Sequence, residues 1–118
     1  MIICLIDDDD LVRDAVSLNL VDNGHVVQAA RGGEEALVFL GQGPPDVLVT
    51  DLKMRGINGT DLMAIARRQY ATLPIVVVSG QAAPLDLKDA DVFLPKPFTS
   101  KKLIAAIDEA RSKRRNAA

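Results

Sequence analysis

The sequence predicts an α/β protein built on a five-stranded, doubly wound parallel sheet with helices on both faces. Five short apolar runs rich in Val and Ile alternate with longer segments of helical period, which separates strands from helices. The runs show no alternation of apolar and polar residues, as expected when both faces of a sheet are covered. Parallel neighbours need a crossover, and the intervening helical segments supply it with the right-handed sense that such units adopt.

The elements follow in order. Ile2–Ile6 forms the first strand, and Asp10 is expected to cap a helix whose apolar face carries Val12, Ala15, Val16 and Leu20;. Asn23-Gly24 ends that helix, and residues 25–29 give the second strand;. Ala36, Leu37 and Leu40 mark the next helix, residues 47–50 the third strand, Leu62, Ile65 and Ala66 the helix after it, and residues 75–78 the fourth strand. Between Gly80 and Leu94 there is room only for a stub of helix of about six residues starting at Pro84, because Leu85 and Leu87 cannot share one helical face and a short helix must borrow stability from packing. Asp86, Asp89 and Asp91 are expected to leave its outer surface negative. Residues 92–94 form the last strand, Thr99 caps the last helix, and Leu103, Ile107 and Ala110 give that helix its buried face. Residues 113–118 read as a basic tail or the start of a linker.

Composition narrows the function. The chain has 118 residues, 14 Lys plus Arg against 16 Asp plus Glu, a net charge of −2, and 48% hydrophobic and 25% charged content. That is one ordinary globular domain, large enough to fold without a disulfide or metal staple. The apolar runs are far shorter than the ~20 residues that span a bilayer, and a cytoplasmic location is the expectation. The single cysteine, Cys4, lies within an apolar run and is expected to be buried filler. Lys113, Arg114 and Arg115 suit a helix C-terminus, and without aromatic neighbours they predict no direct nucleic-acid binding.

In a doubly wound sheet the ligand site lies beyond the carboxyl ends of the strands. Those ends carry Asp7, Asp8, Asp9 and Asp10, then Asp51, then Ser79-Gly80, then Lys96-Pro97. Carboxylates brought together repel unless protons are shared or a cation sits among them, and an all-oxygen site suits Mg²⁺. Ser79 and Lys96 are donors of the type that hold phosphoryl oxygens.

The stretches LIDDDDLVR, DVLVTDLKMRGINGTDL, PIVVVSG and VFLPKPF together resemble the receiver domain of bacterial two-component response regulators, from Ile2 to about Ala110. The resemblance implies a flavodoxin-like fold of strand order 2-1-3-4-5. It makes Asp51 the phosphoacceptor, Asp7, Asp8, Asp51 and the backbone carbonyl of Lys53 the Mg²⁺ ligands, and Lys96 the partner of the phosphoryl group. Ser79 becomes the hydroxyl that follows phosphorylation, Phe93 the switch aromatic, and Lys96-Pro97 a cis peptide. The implied partners are a sensor histidine kinase or phosphotransfer protein and a downstream target or output domain. The chain would catalyse only its own phosphorylation and dephosphorylation. Arg55 stands where the family usually has proline, which puts a charge near the site.

Two other readings stand beside this one. A strand followed by Asp7-x-Asp9, then Ser79 and a lysine, also looks like the haloacid-dehalogenase phosphatases, but that leaves Asp51 unexplained and lacks their later strand and acids. The other is an unphosphorylated pseudo-receiver acting as an interaction module. With its dimerising face reduced by the short helix, the chain is expected to remain a monomer or to use its first helix for partners.

Overall fold

A computed structural model describes residues 1–81 and 87–117. The order is β1 (Ile2–Ile6), α1 (Asp10–Asp22), β2 (Val26–Ala30), α2 (Gly33–Gly41), β3 (Val47–Asp51), α3 (Gly59–Gln69), β4 (Ile75–Ser79), β5 (Val92–Pro95) and α4 (Ser100–Ala117). All neighbouring strands are parallel, in the order β2-β1-β3-β4-β5. The fold is therefore the flavodoxin-like α/β architecture anticipated from the sequence.

The period-2 rule divides the core between two faces. Ile3, Leu5, Val47, Val49, Val76 and Val78 pack beneath α1 and α4 through Leu20, Leu103 and Ile107. Cys4, Ile6, Leu48, Ile75 and Val77 pack beneath α2 and α3 through Leu40, Leu62 and Met63. Cys4 is fully buried, and burial pushes its thiol pKa up to about 12, so it is an inert filler;.

Several local expectations are corrected. The N-cap of α1 is Asp9, not Asp10: Asp9 has the extended backbone a cap needs, and its carboxylate accepts the Leu11 and Val12 N–H groups;. Asp10 enters the first turn and pairs with Arg13 at 2.6 Å; the Arg13 hydrogen bond and charge hold its carboxyl below the ordinary value. Ala15 lies at the edge of the α1 stripe and is exposed. At the other end of α1, Gly24 takes φ +87°, and the Gly24 and His25 N–H groups donate to the carbonyls of Val21 and Leu20;. His25 is thus spent on closing the helix, and β2 begins one residue later. Thr99 caps α4 as expected, accepting the Lys102 N–H.

The largest correction concerns Asp91 and the basic end. Asp91 does not face solvent: its side chain is only 5% exposed. It accepts the Ile75 N–H at 2.8 Å, Arg67 Nη2 at 3.3 Å and Arg114 Nε at 2.7 Å. Lys113 donates to the Asp91 carbonyl. The basic segment is therefore the last turn of α4, folded back onto the turn before β5, rather than a tail. The short helix expected after Gly80 falls largely on residues 82–86, outside the described residues; residues 87–91 form a turn.

One close approach aims the end of β3. The Gly59 N–H donates to the Leu52 carbonyl, and a Cβ on Gly59 would stand 2.3 Å from the Asp51 carbonyl oxygen and 2.8 Å from Leu52 Cα. Backbone cannot yield there as a flexible side chain could. Gly59→Ala is expected to cost about 2 kcal/mol, within the range for overpacking a tight site, and to move the Asp51 amide resonance. Urea unfolding and amide spectra check this; an unchanged midpoint would mean that α3 can slide away from β3.

Candidate functional site

Period-2 geometry also assembles the site. Asp7 continues the row of Leu5, Asp51 that of Val49, and Lys96 that of Leu94, so all three extend the α1/α4 face of the sheet past its carboxyl edge;. At that edge polar side chains replace the core. Lys96 Nζ donates to Asp51 Oδ2 at 2.7 Å and to Asp7 Oδ2 at 2.9 Å. The remaining oxygens are held by the backbone: Leu52 N–H donates to Asp51 Oδ1 and Asp9 N–H to Asp7 Oδ1. Arg13 Nη1 steadies the turn by donating to the Asp7 carbonyl.

Asp7 and Asp51 are 3% and 8% exposed, and Asp8 is half-buried. One carboxylate oxygen from each of the three lies within 4.8 Å of the others, a hard-oxygen cluster that could hold a metal ion. Burial opposes charge on Lys96, but its hydrogen bonds to Asp51 and Asp7, with their negative charge, outweigh that penalty and raise its pKa above the ordinary lysine value;. The site therefore carries its own cation.

The other expected residues divide. Lys53 lies exposed in the loop just after β3. Ser79 is buried at the end of β4, but parity sends it to the α2/α3 face with Val77, and its Oγ accepts the Gln81 N–H. The Lys96 N–H donates to the Ser79 carbonyl at 2.8 Å, but no hydrogen bond among the described residues joins the Ser79 hydroxyl to Asp51 or Lys96. Phe93, in register with Val77, sits half-buried on that same face. Lys96-Pro97 is cis, as expected.

Two features mark the rim: the charge of Arg55, expected near the site, and an apolar groove that the sequence reading missed. Arg55 brings its Nε to 4.0 Å from Asp8 Oδ2, at the edge of a cavity of about 410 Å³ that is also lined by Arg31, Glu34 and Glu35. On the other side an apolar groove of about 480 Å³ runs from Val12 and Val16 to Pro97 and Phe98, with Lys96 in its wall. The charge of Arg55 was legible, but its pairing with Asp8 and a groove assembled from distant segments have no periodic signature that could have revealed them.

A family model described as the response regulator receiver domain matches residues 3–108. The chain belongs to that family. Response regulator MprA of Mycobacterium leprae is 38% identical over 113 residues, covering 91% of this chain and 49% of that protein. The chain thus spans about half the length of the curated relatives it matches. Among solved structures, a response regulator receiver protein from Sinorhizobium medicae superposes with a TM-score of 0.85 at 32% identity, covering 97% of this chain and 96% of the other. The receiver domain of the hybrid histidine kinase CckA gives 0.82 at 32% identity, covering 94% and 99%. This is a receiver domain of the kind carried by response regulators of two-component systems. No helix among the described residues is long and apolar enough to cross a membrane.

Proposed function

We propose that the chain is the phosphoacceptor switch of a two-component phosphorelay, with Asp51 receiving a phosphoryl group from a histidine kinase or phosphotransfer protein. The observation that carries this reading is the convergence of Asp7, Asp8 and Asp51 within 4.8 Å, with Lys96 bridging two of them. Buried like charges at that spacing are costly without a task or an ion.

A small divalent ion fits the donor set, and Asp8 and Asp51 would hold Mg²⁺ together with the carbonyl of Lys53, Asp7 acting through a water. When bound, Mg²⁺ neutralises charge between the nucleophile and the incoming phosphoryl oxygens. Asp51 forms the new P–O bond as the P–N bond of the phosphohistidine breaks, and the departing imidazole takes up a proton. Lys96, already within reach of Asp51, exchanges a carboxylate oxygen for a phosphoryl oxygen. Ser79 follows by turning its hydroxyl towards the same group, which leaves space into which Phe93 rotates, and that coupling passes the charge to a partner surface. The chain acts on no other substrate. The apolar groove beside Lys96 suits a helical donor that must bring its histidine to Asp51.

Incubation with an acyl-phosphate donor and Mg²⁺, followed by intact-mass analysis, tests this. One phosphoryl adduct is expected on the wild type and none on Asp51→Ala, and beryllofluoride with Mg²⁺ should shift the amides at the ends of β1, β3 and β5 together. Undiminished labelling of Asp51→Ala would refute the assignment, and no labelling of the wild type by donor or kinase would favour an interaction module instead.

A further inference from the structure

Arg55 holds a position that the proposed chemistry does not use. Its Nε lies 4.0 Å from Asp8 Oδ2, while its side chain is 90% exposed. The following residue, Gly56, takes φ +76°, and the Glu34 carboxylate occupies the space where a Cβ on Gly56 would stand. Little packing holds the Arg55 guanidinium once something else neutralises Asp8. Of the three clustered carboxylates, Asp7 and Asp51 are paired with Lys96. Asp8 has no lysine, and Arg55 is the cation within ion-pair distance of it among the described residues.

We propose that Arg55 is a built-in competitor for the divalent cation: it neutralises Asp8 in the metal-free protein and must swing off before an ion can take that carboxylate. This rests on the acidic pocket being a divalent-cation site. Arg55 is a positioning residue that sets how much Mg²⁺ the switch requires. The second arginine at the same cavity supplies the contrast. Arg31 is nearly as exposed but is 3.9 Å from Glu35, four residues along, and it makes no ion pair with Asp8. A contact of the Arg55 kind lies at the weak end of ion-pair energies because water screens it. The effect on affinity is accordingly modest and measurable.

Mg²⁺ titrations followed by amide shifts on the full chain, without a phosphodonor, test this. Arg55→Ala is expected to bind Mg²⁺ about threefold more tightly than wild type, the size that a screened surface ion pair converts to. Arg55→Glu should tighten it further, and Arg31→Ala should move the affinity by less than half as much as Arg55→Ala. An unchanged affinity in Arg55→Ala overturns the proposal. So does an equal shift in Arg31→Ala, which would make the effect that of net charge alone. A wild type that shows no saturable Mg²⁺ binding overturns the reading of the pocket itself, whereas saturable binding indifferent to Arg55 overturns only the role of Arg55.

Discussion

Replacing Asp91 with alanine is expected to cost the fold about 3–5 kcal/mol, the range for removing one partner from a buried ion pair. Its carboxylate joins three segments that are otherwise distant in sequence: the first amide of β4, Arg67 of α3 and Arg114 of α4. Deleting it leaves an amide without its acceptor and two guanidinia without their hydrogen-bonded carboxylate. Arg67 is the more vulnerable, since burial and then the neighbouring Arg114 depress its pKa while Asp91 opposes them. A domain of this size is stable by only about 5–15 kcal/mol, so the loss would take a large share of the total. Asp91→Asn should lose less, because an amide oxygen can still accept the Ile75 N–H. The measurement is urea unfolding, with the midpoint falling at unchanged slope. A loss below about 1 kcal/mol would assign the cluster the small energy of an exposed ion pair.

That cluster also marks where the sequence ceases to be legible. The strands could be read because burying both faces of a parallel sheet demands unbroken apolar runs, and Asp7, Asp51 and Lys96 could be read because each breaks such a run at its carboxyl end. Their convergence then followed from topology. Asp91 gave no comparable signal: a carboxylate before a short apolar run looks the same whether it faces water or receives two arginines from helices folded around it. The basic end was legible as a helix C-terminus, but three cations in a row describe a solvated tail as well as a helix that folds back. Ser79 shows a finer limit. Its place at the end of β4 was legible, but the parity that turns its hydroxyl to the α2/α3 face, away from Lys96, depends on which residue of β4 pairs with β5. Asp9 and Asp10 are adjacent residues of one type, and only backbone conformation separates the cap from the first turn.

Lys96→Met is expected to make stability depend on divalent cation. In the metal-free wild type the lysine ammonium bridges Asp7 and Asp51 through Oδ2 of each, and the backbone holds Oδ1 of each. Methionine keeps most of the side-chain volume and removes the charge, so three carboxylates within 4.8 Å are left with no cation but the screened contact of Arg55. Hydrogen bonds to charged groups contribute about 1.5–3 kcal/mol each, and partial exposure of Lys96 discounts them, so a loss of about 2 kcal/mol in chelator is the expected size. For a chain of this length that lowers Tm by roughly 10 °C. Mg²⁺ should recover much of the loss in the variant and less in the wild type, whose lysine already neutralises the site and competes with the ion. The pH dependence has a definite sign. Because the folded-state pKa of Lys96 is raised, its contribution is fully present below the ordinary lysine value and is lost as pH climbs through the raised one;. The gap between wild type and variant should therefore stay constant through neutral pH and close only in strong alkali. Thermal unfolding with chelator and with Mg²⁺ provides the check. A variant as stable as wild type in chelator would mean that the carboxylates relieve their repulsion without Lys96.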